Sequence, residues 1–437
     1  MGFKENDSEL ASATVALSNL PQDVRILRLE ALVEASETLN HASGLDDILH
    51  SILDLITAQL ETERATAFLR DQRSGKLHAR QMTGGAQIEI VLEKGVGIAG
   101  YVAETGESLL INDVRADPRF DPSTDLRTGF TTSNMLCVPL RKMGGESIGA
   151  LQAINARSGA FSNVDLAYLE SFAAVAAIAV EREQLAQEAL RSHLLSTELE
   201  LARKIQQRLL PTPGMISLPK PFYAWGMSQA CYDVGGDTYD VVTLPSGECA
   251  FWVADVSGKG IGAALLMTTL QTELRALVRA EADLARLAAE LNEKVTKVAP
   301  LGTYATLFLG VLSAEFELLR YVNAGHLPPL WMHPSISEER NFEASGMPIG
   351  LLPGSEYGAG IVRFVAGERL TIFSDGITDA ENTAGRTYDF EGLRASLQRV
   401  EARSVSEIGP TFFAELDRFR IGAPAKDDTT FLVMGLG

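Results

Sequence analysis

Basic residues are in short supply. Lysine and arginine total 38 against 57 aspartates and glutamates, which leaves a formal net charge of −19. A nucleic-acid groove needs a basic face, so no nucleic-acid partner is expected. A phosphorylated protein remains open as a substrate, because a bound divalent cation reverses the local field. Cysteine is scarcer still. Cys137, Cys231 and Cys249 are an odd number with no Cys-x-x-Cys spacing, so neither a disulfide framework nor a zinc site follows and a reducing cytoplasm is the simplest setting. Long apolar runs are also missing. The longest helix-like one, residues 172–180, is far too short to span a bilayer, and the opening stretch MGFKENDSELASATVALSNL is too polar for a signal peptide. A cytoplasmic protein without a membrane partner is expected.

What is present is ordinary globular composition, 46% hydrophobic and 22% charged, which excludes wholesale disorder. A length of 437 residues allows two or three domains. Residues 1–22 are expected to be disordered, and 23–39 carry Val24, Leu27, Ala31 and Leu32 at helical spacing. From residue 45 to about 180, helix and strand patterns mix. Ile48, Ile52, Leu55 and Ile56 share a helical face, and ATAFLR, KLHARQM, SLLIND, NMLCVPLRK and SIGALQAIN follow as strands separated by Gly-rich turns. Cys137, inside a strand pattern, reads as core.

Glycine and proline then vanish between Gly159 and Pro211. Good helix formers fill the interval, and Ser162 to Asp165 supply a capping arrangement at its start. Leu190, Leu194, Thr197, Leu201, Ile205 and Leu209 form an apolar stripe. A continuous helix here would be roughly 70 Å long. A solvated spacer and a two-stranded coiled coil both fit; the sustained stripe favours the coiled coil, and with it a parallel homodimer.

Beyond a loop, PTPGMISLPKP, apolar strands alternate with Gly-rich turns and two helices, 262–279 and 284–297. Asp255 closes the run FWVAD, ahead of SGKG. This is no phosphate loop, because the residue five before Gly258 is Val253 and the lysine is followed by Gly260. The same local pattern recurs at Asp237 in DVGGDTYDVV, at Asp375 after LTIFS and at Asp427 in AKDDTTFLVM. One such aspartate is a turn or cap. Four beside strands can converge at one sheet edge, where like charges are unfavourable without a cation. Carboxylates, carbonyls and water suit magnesium or manganese.

The ordered motifs VGGDTYD, ADVSGKG, NAGHLPP, SDGITDA and KDDTT resemble the PPM (type 2C-like) serine/threonine phosphatases, in particular the bacterial SpoIIE-type branch of partner-switching systems. The resemblance implies an αββα sandwich with two Mn²⁺ or Mg²⁺ ions at one edge and room for a third. It implies Asp237, Asp255 (bridging) and the carbonyl of Val256 as ligands on one side, Asp375 and Asp427 on the other, and Asp379 beside an accessory ion. Animal members carry a histidine two residues after the bridging aspartate, where this chain has Ser257. The implied substrate is a small phosphoprotein such as an anti-sigma-factor antagonist. The segment ARKIQQRLLP matches the family's helix leading into the catalytic domain, His326 reads as a turn histidine, and Lys259 reads either as a phosphate contact or as a solvated loop lysine.

The first region is similar to GAF domains, through GVGIAGYVAETGESLLINDVRADPRF and FSNVDLAYLESFAAVAAIAVE. That implies a small-molecule or protein ligand. Asn155 is followed by Ala156 rather than lysine, so the pattern of cyclic-nucleotide binders is only half kept. The expected organisation is α/β multidomain: an α+β GAF-like sensor over 23–182, a coiled-coil linker helix over 183–212 and a phosphatase domain over 213–437. A non-catalytic pseudophosphatase acting as a scaffold is the competing reading. A kinase is disfavoured, because no Gly-rich loop with its lysine is present to cradle ATP.

Overall fold

Strand alternation and helix amphipathicity build two separate units, residues 1–193 and 194–437. A computed structural model describes residue 33 and residues 44–71, 73–82, 90–142, 144–315, 317–332, 342–400 and 404–436. The expected disordered stretch 1–22 and, Val33 apart, the expected helix 23–39 lie outside the described residues.

In the first unit, α1 (Leu45–Gln59) buries Ile48, Leu49, Ile52, Leu53 and Ile56 along one face, and Asp46 and Asp47 sit in its first turn, where carboxylates complement the helix dipole. A six-stranded antiparallel sheet follows, made of β1 (Thr62–Arg70), β2 (Leu77–Met82), β3 (Val91–Leu92), β4 (Leu109–Ile111), β5 (Met135–Arg141) and β6 (Ser147–Ala156), in the order β3-β2-β1-β6-β5-β4. Period-two alternation sends Leu136, Val138 and Leu140 of β5 to a core shared with α1, and Met135 and Cys137 to the opposite face. There α2 (Gly97–Thr105) packs, and a short helix α3 (Ser123–Thr128) lies farther along the chain. Burial pushes the Cys137 thiol up to about 12, as its core reading requires. The face covered by α2 also holds a small pocket, open to solvent and lined by Arg64, Thr66, Phe68, Phe130, Met135 and Gln152 among others.

The Gly- and Pro-free segment is one helix, α4 (Asn163–Leu209). Its cap is reciprocal: Asp165 accepts from the amide and hydroxyl of Ser162, and Ser162 Oγ accepts from the Asp165 amide. By length and composition alone α4 is long and apolar enough to cross a membrane. Its apolar part is committed elsewhere: Tyr168, Leu169, Phe172, Ala176, Ala177 and Val180 are buried against the first sheet. Farther along, Leu190, Leu194, Leu201 and Ile205 are each more than half exposed.

The second unit is a four-layer sandwich. Its sheets run β14-β12-β11-β10-β9 and β13-β15-β16-β8-β7. The strands are β7 (Gly214–Ile216), β8 (Phe222–Gln229), β9 (Thr238–Thr243), β10 (Cys249–Val256), β11 (Ala305–Leu312), β12 (Leu318–Ala324), β13 (Leu330–Met332), β14 (Gly360–Arg363), β15 (Arg369–Phe373) and β16 (Thr429–Leu436). Phe251 and Val253 of β10 point between the sheets toward Leu432 and Met434 of β16. The residues between them in sequence point outward. Ala250, Trp252 and Ala254 meet α5 (Ile261–Ala280) and α6 (Leu284–Thr296), while Phe431 and Val433 meet α8 (Asp389–Val400) and α9 (Val405–Arg420). Each fully buried Leu or Phe in these layers contributes about 1.5–3 kcal/mol. The remaining helix, the one-turn α7 (Asp375–Thr378), starts at a candidate site residue.

Candidate metal centre

Strand register brings the aspartates together. β10 pairs with β9 so that Ala254 faces Thr238, which leaves Asp255 and Asp237 side by side just beyond the last pair. In the other sheet Phe373 faces Phe431, and the Ser374 amide donates to Thr430 O at 3.0 Å. Asp375 and Asp427 therefore leave the ends of neighbouring strands. Two glycines keep these ends tight. A Cβ on Gly236 would lie 3.0 Å from the Val256 carbonyl oxygen, and one on Gly376 would lie 2.0 Å from the Asp428 carbonyl oxygen.

Electrostatics records the convergence. Burial first, then the neighbouring Asp255 and Asp428 charges, hold the Asp237 carboxyl well above the usual range. Asp255 is pushed up to about 7 by burial and by Asp375, Asp427 and Asp428, with its hydrogen bond to Asp237 acting in the opposite direction. Burial raises Asp375 as well, followed by Asp427 and Asp379. Asp379 is exposed one turn on, and its amide donates to Asp375 O at 2.7 Å. All four strand-end aspartates thus share one edge, with Asp379 at its rim.

The donor set fits a hard cation. Asp237 is 3% exposed, and its Oδ2 is buried with no hydrogen-bond donor facing it. A cation is the natural partner for such an oxygen. At the exposed end, Lys259 Nζ lies 2.9 Å from Asp427 Oδ2 and also donates to the Lys426 carbonyl. Lys259 is thus an exposed lysine that sits beside the cluster. Ser257 is fixed by its own backbone: its amide donates to Tyr304 O and its hydroxyl accepts from the Tyr304 amide. His326 is buried, its imidazole lowered to about 4 by burial, and its Nδ1 lies 2.8 Å from Thr306 Oγ1. Because Thr306 faces Asp255 in the β10–β11 register, this neutral histidine backs the cluster as part of the fold.

Two contributors escaped sequence reasoning. Asp428, beside Asp427, accepts from the amides of Cys231 at 2.8 Å and Gly236 at 2.6 Å, tying one sheet's edge to the other's loop. The doubled aspartate of KDDTT was its signal. Cys231 Sγ comes within 4.8 Å of the Asp427 and Asp428 carboxylate oxygens, and burial and Asp428 raise its thiol. The other is Gln206, buried on α4, which bonds both backbone groups of Gly235.

Residues 44–180 match the GAF domain family, and residues 245–436 match the family of stage II sporulation protein E (SpoIIE). The chain carries a GAF domain followed by a SpoIIE-type domain. Protein IcfG of Synechocystis sp. is 27% identical over 269 residues, covering 54% of this chain and 41% of that protein. The probable 3′,5′-cyclic phosphodiesterase pde-5 of Caenorhabditis elegans is 29% identical over 174 residues, covering 37% of this chain and 24% of that protein. The chain thus spans less than half the length of either relative. Among solved structures, the SiaA-PP2C domain of Pseudomonas aeruginosa aligns at 19% identity and TM-score 0.49, covering 57% of this chain and 99% of that one. The PP2C phosphatase domain with a regulatory fragment of SpoIIE from Bacillus subtilis aligns at 18% and TM-score 0.42, covering 49% and 63%. The SpoIIE-type domain holds the whole acidic edge apart from Asp237, which lies just before the matched residues.

Proposed function

We propose that the chain is a metal-dependent protein serine/threonine phosphatase regulated by its GAF domain. The observation that carries this reading is the pair Asp237 and Asp255, side by side just past the last β9–β10 pair, one buried with an orphaned oxygen, at the edge of a SpoIIE-type domain. Asp237, Asp255 and the Val256 carbonyl would hold one Mn²⁺ or Mg²⁺. Asp255, Asp375 and Asp427 would hold a second, and Asp379 would line an accessory position. An all-oxygen set selects these hard ions over zinc. When bound, they supply Lewis acidity toward phosphorus and activate water.

The protein's own residues do the rest. Asp255 reaches both halves of the cluster. Lys259 places an ammonium at the exposed rim, where the oxygens of an incoming phosphoserine or phosphothreonine would meet it. His326, neutral and buried, and Ser257, bound to Tyr304, fix the floor without taking part in proton transfer. The substrate is read as a small phosphoprotein of the anti-sigma-factor-antagonist kind, in the cytoplasm. The pocket beside α2 is read as the sensor's ligand site, and the exposed stripe of α4 as the seam of a parallel coiled-coil homodimer.

Hydrolysis of such a phosphorylated partner should require added Mn²⁺ or Mg²⁺. Asp255→Asn should lower turnover by roughly a hundredfold or more, the scale of losing one preorganised electrostatic contact. Full turnover by metal-stripped protein in excess chelator would reject the reading.

A further inference from the structure

Glycine serves a fold where the backbone is left-handed or where a neighbour presses close. Among the described glycines of the second unit, every one but Gly262 meets one of these conditions. Gly262 lies in the first turn of α5. Its φ is outside the left-handed region, and nothing is within 4 Å of where a Cβ would stand. Neither the backbone nor the packing of the helix asks for a missing side chain there. The remaining use of bare backbone is close approach by something from outside the fold.

That bare spot adjoins the acidic edge. Ala263, the next residue, is buried, and a Cβ on Gly236, which precedes Asp237, would lie 3.4 Å from Ala263 Cβ. Just before α5, Lys259 Nζ lies 2.9 Å from Asp427 Oδ2. Helical spacing puts Leu265 one turn along from Ile261 on the same face, and the two are 65% and 55% exposed. From the β8–β9 loop, Tyr232 is 59% exposed and follows Cys231, whose amide donates to Asp428 Oδ1 at 2.8 Å. A single exposed leucine carries no message. Here two aliphatic side chains, a tyrosine and bare backbone adjoin one edge, beside a lysine suited to a phosphate.

We propose that Tyr232, Ile261, Gly262 and Leu265 form the seat that selects the protein substrate. A segment of the phosphoprotein lies against Gly262, with its phosphorylated serine or threonine directed past Lys259 to the acidic edge. An apolar side chain next to that residue rests on Ile261, Leu265 and Tyr232. The inference rests on the phosphatase reading above and adds which sequence around the phosphate is taken. Phosphate and divalent ions are common to every phosphorylated serine or threonine, so they cannot tell one from another. Discrimination needs contacts beyond them, and tyrosine is among the side chains that most often anchor a protein contact.

The test uses the full chain with Mn²⁺, on p-nitrophenyl phosphate and on a pair of phosphothreonine peptides that differ only in carrying leucine or serine on both sides of the phosphothreonine. The unsubstituted protein should prefer the leucine peptide by about 10-fold or more in kcat/KM, the scale of apolar discrimination. Gly262→Gln sends a long side chain of good helix propensity into open space, so Tm should hold while KM for that peptide rises by about 10-fold. A glycine needed only by the fold would do the reverse, lowering Tm and leaving KM alone. Leu265→Ser and Tyr232→Ala should remove most of the preference between the peptides, with the loss in KM rather than kcat. Ile361→Ser, exposed on β14, should change none of these readings. The inference is overturned, and the phosphatase reading left intact, by a kcat/KM for the leucine peptide within about twofold of the unsubstituted value in both Gly262→Gln and Leu265→Ser, by equal use of the two peptides, or by hydrolysis of p-nitrophenyl phosphate and of neither peptide. A change of oligomeric state in these variants by light scattering marks the face as a contact between copies and overturns it too. An unsubstituted protein that hydrolyses none of these compounds with Mn²⁺ removes both readings.

Discussion

Replacing Asp255 by asparagine should stabilise the metal-free protein while abolishing its activity. In the folded chain the Asp255 carboxyl ionises at about 7, against an ordinary 3.8. The folded state therefore keeps a proton that the unfolded chain releases between those values, and stability falls as pH rises through that window. At about pH 8 the full cost is expressed, about 4 kcal/mol from the difference in ionisation at 1.36 kcal/mol per pH unit. Asparagine removes the charge but still buries an amide, which offsets part of the gain, so a net stabilisation of about 1–3 kcal/mol is expected. For a unit of this size that is a rise of roughly 3–10 °C in Tm. All three tryptophans, Trp225, Trp252 and Trp331, lie in the second unit, so their fluorescence reports its melting alone. Melts in chelator should show Asp255→Asn above the unsubstituted protein near pH 8, with the gap narrowing toward about pH 5. Comparing the two proteins cancels every group they share. Mn²⁺ should reverse the order, since binding to the folded state stabilises by mass action. An unsubstituted protein whose Tm in chelator does not change over this range, and an Asp255→Asn variant melting with it or below it, would refute the reasoning.

The sandwich edge and the helix make further predictions. Gly376→Ala would drive a Cβ to within 2.0 Å of the Asp428 carbonyl oxygen, backbone that cannot yield without displacing Asp427; a loss of about 3 kcal/mol in urea melts is expected, and a change under about 0.5 kcal/mol would show the contact to be relaxed at no cost. Leu201→Glu and Ile205→Glu alter side chains that are 60% and 57% exposed, so stability of the second unit should hold within about 0.5 kcal/mol while light scattering shifts from dimer toward monomer. Dimers that persist in both variants would place the pairing surface elsewhere.

Local patterns made two helices of the sandwich legible almost to the residue: 262–279 and 284–297 were expected, and Ile261–Ala280 and Leu284–Thr296 are found. The same holds for α4, because absence of glycine and proline and a reciprocal cap are local signals, whereas α8 and α9 were not among the expected elements. Short edge strands such as β7, β13 and β14 carry three or four residues, too few for alternation to register. Membership of the acidic edge was legible for the residues at strand ends. It was not legible for Asp428 or Gln206, because their roles depend on partners 192 and 29 positions away. Asp427 pairs with Lys259 while its neighbour turns to the Gly236 amide.

The contrast between Asp237 and Asp240 argues that the unbalanced charge is functional. Both are 3% exposed, three residues apart. Asp240 is served by the protein itself: Arg275 Nε lies 2.6 Å from its Oδ2, Gln271 Nε2 lies 2.9 Å from the same oxygen, and the Val241 amide donates to Oδ1. Among the described residues Asp237 is given no cation, only the hydroxyls of Ser374 and Thr430. The charges that act on it are those of Asp255 and Asp428, and both push its carboxyl toward the protonated form. A fold that can bring an arginine to one buried aspartate leaves the next beside two more carboxylates, where it meets the cost by holding its proton. Lys259 relieves only the exposed end, at Asp427. Among the described residues the buried end has no such ion pair.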